Sequence, residues 1–444
     1  MIRRRSFLKG TIAALLGGTL VKRSTLASNP PNVLFVLVDQ WRAQSFSEPG
    51  QPDPLLPKLN RFAKQSCQWT RAYTVKPMCA PNRASILTGR YIHQHGVTGN
   101  GKRLPKAEIT IAEVFRRRGG YHTGYIGKWH LDGKGSQYVP PNRRQGFRTF
   151  KGRNGGHEYL DWISFTTNGA RHRFTRYQPI KQTDWALDYM QKHRKEPFFL
   201  FLAWGPPHPP YEAPKRYKKR VPSSFPIRPN VPKWFVDSRR RKVQRWLKGE
   251  ATHRVALDEQ FGRLMRGLRD LGLDRKTIVV FTSDHGDLLG SHSTKLRKGL
   301  PFEEALRVPL LFRWPGVIPR GTVEAPISSA DIMPTVLSLC GLSVPGPVAG
   351  KDLSGVMLSG DPGPGSCYCQ GKKGDDEGWR AVVTERDKLV LRLNTGRISL
   401  YDLINDPYEL NDLGNSPSHQ DRVAELLDEL QRLANDCNDP ISVP

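Results

Sequence analysis

The chain has 444 residues, 37% of them hydrophobic, and a formal net charge of +28. That length accommodates one large domain and a smaller one, and no apolar run outside the N-terminus could span a membrane. The six cysteines contain no C-x-x-C pair, which argues against structural zinc. So basic a surface favours an anionic partner (nucleic acid, anionic lipid or a sulfated polymer); the alternative is a solvated surface with no dedicated partner.

In chain order, residues 1–28 carry six basic residues and no acid; without them the net charge is still +22, 28 less 6. Arg3-Arg4-Arg5-Ser6-Phe7-Leu8-Lys9 resembles the twin-arginine motif R-R-x-F-L-K, and Ile12–Val21 is a short apolar run. Thr25-Leu26-Ala27 offers small residues for cleavage. The stretch predicts an export peptide removed near Ala27 or Ser28, a twin-arginine translocon as partner, and a periplasmic or extracellular protein. An uncleaved anchor is the alternative, disfavoured by the short, Gly-rich run.

Asn32–Val38 is a continuous apolar, β-branched run, predicted to be a strand buried on both faces. It ends in Asp39-Gln40, where α/β sheets place their sites, although a turn or cap aspartate reads as well from these residues. Leu55–Gln65 predicts a helix and Cys67–Thr74 a strand. Then comes C-A-P-N-R-A-S-I-L-T-G-R, Cys79 to Arg90. Pro81 suits the first turn of a helix and Gly89 its stop. Cys79 then lies at a helix N-terminus, with a lowered thiol pKa, and Arg83 follows one turn later on the same face. A small buried apolar cysteine is the alternative. Beyond a helix at Ile109–Arg118, Gly120–His130 (G-Y-H-T-G-Y-I-G-K-W-H) predicts a short strand and glycine turn. Extended alternation would put Lys128 and His130 on one face, a pair able to bind an oxyanion and move a proton.

Residues Asp132–Arg176 lack periodicity and predict irregular structure over the sheet edge. A helix at Gln182–His193 and a strand at Pro197–Trp204 lead to a proline-rich turn presenting His208. Lys215–Lys248 interleaves basic clusters with Tyr217, Phe225, Trp234, Phe235 and Trp246. Cations beside aromatic platforms suit nucleic acid or sulfated sugars. With no nucleic-acid-binding motif, no nucleic acid is expected, and a substrate-facing or solvated insert is the reading. Glu250–Leu271 has the apolar spacing of a long helix. Thr277–Phe281 is a third buried strand, running into Asp284-His285. A strand (Val308–Phe312), a helix (Asp331–Leu342) and a Gly/Pro-rich crossover (Pro345–Ser366) follow. Three short strands, Ala381–Thr384, Lys388–Leu393 and Ile398–Leu403, and a helix at Asp421–Ala434 predict a small antiparallel sheet with one packed helix.

The Cys79–Arg90 stretch resembles the sulfatase motif C-x-P-x-R followed by small residues and T-G-R, with Asn82 where a serine is more usual. Gly120–His130 matches the second motif, G-Y-x-T-x-x-x-G-K-x-H. The segment from Lys298 to Leu310 resembles K-G-x-x-Y-E-E…R-V-P-L, with Phe302 for tyrosine, and Asp406–Leu413 resembles the C-terminal signature. The resemblance spans roughly residues 32 to 435. It implies an α/β, alkaline-phosphatase-like fold with a large mixed, mostly parallel sheet flanked by helices. The implied division is a signal peptide over 1–28, a catalytic domain over 29–345 and a C-terminal subdomain over 346–444. It implies that Cys79 is oxidised to formylglycine by a maturase. Asp39, Gln40, Asp284 and His285, with residue 79, would hold a divalent cation, Ca²⁺ before Mn²⁺ or Mg²⁺. Arg83, Lys128 and Lys298 would stabilise the transferring sulfuryl group, with Lys295 competing for the place of Lys298. His208 with Lys298 would protonate the leaving oxygen, and His130 would assist the aldehyde hydrate. The implied substrate is a sulfated carbohydrate. Gln40 and His285 keep open a phosphonate monoester or phosphodiester hydrolase, and charge alone keeps open an inactive polyanion-binding protein.

Overall fold

Strand β1 (Asn32–Asp39) lies in the middle of the large sheet, and all eight of its residues are buried. Its side chains alternate between two cores. Val33, Phe35 and Leu37 pack with Ala84, Ile86, Phe115 and Ile332 on one face. Leu34, Val36 and Val38 pack with Trp185, Leu257, Phe261 and Leu264 on the other. Helices therefore cover both faces, the condition under which an unbroken apolar run makes a stable strand; each such side chain contributes about 1.5–3 kcal/mol by its burial. The computed structural model describes residues 30–46, 51–135, 137–293, 295–296, 298–371 and 378–443, and the N-terminal export reading lies outside them.

The other strands of this sheet are β2 (Cys67–Tyr73), β3 (His122–Lys128), β4 (Thr149–Arg153), β5 (Trp162–Phe165), β6 (Arg171–Phe174), β7 (Phe198–Pro207), β8 (Thr277–Ser283), β9 (Arg307–Arg313), β10 (Gly321–Val323) and β11 (Ile327–Ser328). Their order is β10-β2-β9-β8-β1-β7-β3-β4-β5-β6, with β11 also on β2. The central strands β8, β1, β7, β3 and β4 are mutually parallel. Antiparallel pairs β8–β9, β9–β2, β4–β5 and β5–β6 flank them, so the sheet is mixed. Parallel pairing brings the C-terminal ends of β1, β3, β7 and β8 to one rim, where open α/β sheets hold their ligands.

A separate antiparallel sheet, β12 (Ser366–Gln370), β13 (Trp379–Thr384), β14 (Asp387–Arg392) and β15 (Ile398–Asp402), carries the Gln420–Asp436 helix. Val423, Leu426 and Leu430 of that helix pack on Val382, Leu389 and Leu400. Gly396, at φ +68°, turns the β14–β15 hairpin.

The structure departs from the sequence reading in three places. The segment expected to be irregular, Asp132–Arg176, contributes β4, β5 and β6; each is four or five residues long, too short for a periodic signal. The long helix begins at Lys233 rather than Glu250 and runs to Asp270, so most of the basic insert is helical. Its inner face is carried by only Phe235, Val243 and Leu247 among many cations. Strand β12, with the polar sequence S-C-Y-C-Q, was not anticipated. All six cysteines are buried and unpaired.

Candidate functional site

Cys79 is the first residue of the Cys79–Thr88 helix, and Gly89 closes that helix with left-handed backbone at φ +66°. The Asn100 side chain accepts from Ala80 N at 3.0 Å, satisfying one of the unpaired N–H groups of the first turn. The thiol is 1% exposed. Burial and Asp39 oppose its ionisation, but Lys128, Lys298 and His285 together hold its pKa well below the ordinary thiol value. The site around it is built from strand ends. Asp39 closes β1. His208 N donates to Asp39 O at 3.0 Å, and Asp284 N donates to Val38 O at 3.1 Å, so the loops after β7 and β8 are bound directly to the end of β1.

The carboxylates divide their oxygens between two tasks. Arg83 donates Nε to Asp284 Oδ2 at 2.8 Å and Nη2 to Asp39 Oδ2 at 3.2 Å, and its Nη1 donates to the Lys128 carbonyl at 2.7 Å. Lys128 Nζ takes the same Asp39 Oδ2 at 2.5 Å. The Oδ1 atoms face His285 Nε2, at 3.7 Å from Asp39 and 3.6 Å from Asp284. Cys79 Sγ is 3.1 Å from His285 Nε2 and 3.6 Å from Asp39 Oδ1. His285 Nδ1 donates to the Gly286 carbonyl at 2.7 Å, which turns Nε2 inward. Donor atoms of Asp39, Cys79, Asp284 and His285 all lie within 4.8 Å of one another. Such separations match neighbouring ligands of one cation bound at about 2.0–2.6 Å. Burial and the Asp39 charge push Asp284 upward. Burial works the same way on Asp39, but Lys128, Arg83 and Lys298 hold its pKa well below the carboxylate range. Two buried carboxylates, an imidazole lone pair and the residue-79 side chain fit a divalent cation with hard ligands.

Lys298 reaches in from the loop after β8. Its Nζ donates to Gln40 Oε1 at 2.8 Å, Cys79 Sγ at 3.1 Å and His208 Nε2 at 3.0 Å. Burial works against its charge, but Cys79 and Asp39 outweigh that and raise its pKa. Lys295, the competing candidate, is exposed. His208 Nδ1 donates to the Pro209 carbonyl at 2.6 Å, and burial with the nearby Lys298 and Lys128 pushes its pKa down to about 3. Neutral His208 thus accepts a proton contact from charged Lys298. His130 does not reach the site by extended alternation, since its backbone is left-handed at φ +62°. Burial and Lys128 lower its pKa, with the nearby Cys79 side chain opposing them. Gly127 permits this turn: a Cβ there would lie 2.0 Å from Ala203 O. Apart from the exposed Lys295, the nine other residues singled out in the sequence therefore gather around Cys79, Gln40 through Lys298.

The structure adds partners that the sequence did not single out. Gln40 Nε2 donates to Asp287 Oδ2 at 2.8 Å, so its amide is held from both ends. Asp287 stands three residues after Asp284, and that short acid-imidazole-acid spacing is the signal that could have found it. His157 stacks on His208 with ring centroids 3.7 Å apart; no local pattern marks it, because it comes from the segment read as irregular. Asn82 Nδ2 donates to Asp284 O at 2.6 Å, fixing the nucleophile helix to the β8 loop.

The family model for sulfatases matches residues 31–342. The chain belongs to the sulfatase family. A second model, the C-terminal region of N-sulphoglucosamine sulphohydrolase, matches residues 292–436. The chain is 34% identical to an ulvan-active sulfatase of Formosa agariphila over 412 residues, covering 89% of this chain and 79% of that one. It is 28% identical to an endo-4-O-sulfatase of Bacteroides thetaiotaomicron, covering 97% of each chain. A solved structure from work on the metabolism of multiple glycosaminoglycans by Bacteroides thetaiotaomicron superposes with a TM-score of 0.85 at 27% identity, over 93% of this chain and 97% of that one. The protein is a sulfatase with an α/β fold of the alkaline-phosphatase-like superfamily, and its chemistry is hydrolysis of sulfate esters.

Proposed function

We propose that this sulfatase removes sulfate from a sulfated carbohydrate, with residue 79 acting as formylglycine beside a divalent cation. The observation that carries the reading is the convergence of the Asp39, Asp284 and His285 donors on the side chain of residue 79. Carbohydrate is supported by the relatives: one is ulvan-active, one is an endo-4-O-sulfatase, and one comes from glycosaminoglycan metabolism.

Asp39, Asp284, His285 and residue 79 would hold the cation, with Gln40 beside them through Lys298. Bound there, Ca²⁺, or Mn²⁺ or Mg²⁺, supplies Lewis acidity toward sulfuryl oxygens. Converted to formylglycine, residue 79 supplies as its hydrate an oxygen nucleophile and a second hydroxyl through which the aldehyde re-forms. Arg83 orients the two carboxylates, and Lys128 and Lys298 place positive charge where the sulfuryl oxygens sit. Lys298 holds the proton that the leaving oxygen needs, and His208 orients it or relays it. Neutral His130 is placed to take a proton from residue 79. Conversion requires a maturase, and export through the twin-arginine translocon remains the reading of residues 1–28.

The experiment is sulfate release from a panel of aryl sulfates and sulfated oligosaccharides, with metal content measured on the same preparation. Turnover on a carbohydrate, lost with chelator and restored by one divalent cation, is expected. A metal-loaded, aldehyde-bearing protein that releases no sulfate from any of them contradicts the reading. Gln40, an amide where a second carboxylate would add charge, together with the imidazole of His285, favours phosphonate monoesters as a second reading. Faster turnover of an aryl phosphonate than of the matching aryl sulfate would select it.

A further inference from the structure

The basic insert gives the first third of the long helix an unusual surface. Arg239 breaks the helix with φ −137° and ψ 24°, setting the first turn and a half apart from the rest. Trp234, in that first segment, is 67% exposed, the most exposed large hydrophobic side chain among the described residues. Lys233, Arg240, Arg241 and Arg245 are also exposed.

Several surface arginines elsewhere are neutralised by acids, although isolated ones such as Arg61, Arg194 and Arg320 are exposed without an ion pair among the described residues. Arg216 and Arg220 share Glu259, Arg263 and Arg176 share Asp184, and Arg432 lies between Glu429 and Asp436. Among the described residues, Lys233, Arg240, Arg241 and Arg245 have no ion pair, and Asp237 is the only acid between residues 233 and 245. Uncompensated like charges on one helix repel and cost stability, so helix formation does not account for them. The inner face of the same helix packs Phe235, Val243 and Leu247 on Leu289, with Leu296 against that cluster. Leu289 and Leu296 belong to the loop between Asp287 and Lys298, so the cationic face is mounted on the segment that delivers Lys298 to Cys79.

We propose that this face, with Trp234 at its end, is a docking surface for the chain of a sulfated polysaccharide, outside the reaction centre. The proposal rests on the sulfated-carbohydrate reading above. The occupant follows from the chemistry: guanidinium forks match the planar faces of sulfate oxygens, and an exposed indole stacks on a sugar ring. A single aromatic on a convex helix does not provide the row of platforms on which single-stranded nucleic acid stacks.

The test uses the metal-loaded protein and size-fractionated dextran sulfate as probe, so that binding is read independently of turnover. Arg240→Ser/Arg241→Ser/Arg245→Ser should weaken dextran sulfate binding by about tenfold or more and flatten the dependence of log K on log salt by about two to three. Trp234→Ala alone should weaken it severalfold with the salt slope unchanged. Both variants should hydrolyse a small aryl sulfate at the wild-type rate. A charge-matched control, Lys192→Ser/Arg194→Ser/Lys195→Ser on another exposed segment, should bind as wild type does. Unchanged binding in the helix variants, an equal loss in the control, or duplex DNA binding to the same face as tightly as dextran sulfate would each overturn the proposal. Absent aryl sulfatase activity in the wild type would instead fall on the catalytic reading.

Discussion

Two buried clusters of carboxylates and cations differ in one respect. In the first, Lys388 from the small sheet pairs with Glu303 at 3.2 Å and Glu409 at 2.5 Å. Glu409 Oε2 also accepts from Glu303 N at 2.7 Å, and Glu304 pairs with Arg228 at 2.9 Å. In the second, around Cys79, each carboxylate gives one oxygen to Arg83 or Lys128 and turns the other toward His285, Asp284 Oδ1 also accepting from Gln40 N at 3.0 Å. The first network carries its own side-chain cations, Lys388 and Arg228, and joins the two sheets, although the donors of His292, Glu304 and Glu409 also lie close together within it. The second is left open by side chains, on the face where four donors converge. Burial of charge is thus a structural device in one place and a binding device in the other. The two are in contact: Gly286 N donates to Ala305 O at 2.9 Å, and a Cβ at Gly286 would lie 2.0 Å from Glu304 O.

The largest effect expected is at the open cluster. Cys79→Ala should lower kcat/KM for an aryl sulfate by roughly 10⁴-fold or more, with the far-UV circular dichroism unchanged; a loss below tenfold would remove residue 79 from the chemistry. At the closed cluster, Lys388→Met leaves Glu303 and Glu409 without their shared cation and should destabilise the fold by about 3–5 kcal/mol in denaturant titration. That loss should be the same with and without chelator, since Lys388 and Arg228 supply the positive charge of this network. Chelation of the wild type should then lower stability by about 2–3 kcal/mol if the cation was present at roughly a hundredfold its dissociation constant. A melting temperature insensitive to chelator would make the open cluster an ordinary ion-pair network.

Acid provides the smallest and most graded test. His95 accepts from Val97 N at its Nδ1 and faces Ser85 Oγ with Nε2, and burial pushes its pKa down to about 3. His253 lies between Tyr177 and the Pro210 carbonyl, and burial pushes it down to about 4. Both are neutral when folded, while the unfolded chain takes up their protons below about pH 6.5. Stability should be complete above that pH and fall by roughly 1.4 kcal/mol per pH unit for each histidine as pH drops toward 4. His253→Gln should shallow the slope by one proton; an unchanged slope would contradict the assignment.

Much of this was legible in the sequence where one signal sufficed. The runs Asn32–Val38, Pro197–Trp204 and Thr277–Phe281 read as buried strands because both faces of the sheet are covered, so no alternation interrupts them. The site residues were legible through their motif spacing. What escaped depends on distant pairing. β4, β5 and β6 are stabilised by neighbours and not by their own periodicity, and the long helix begins where three apolar anchors hide among cations. His157 acts through a contact with His208 that no local pattern encodes, and Asp287 acts on Gln40 with only its spacing from Asp284 to mark it.

The most direct measurement sets the mass of the peptide containing residue 79 against sulfate release in preparations made with graded amounts of a formylglycine-generating maturase. Turnover should rise in proportion to the fraction of residue 79 carrying the aldehyde and extrapolate to zero at full thiol. Full turnover from protein in which residue 79 is entirely cysteine would contradict the account.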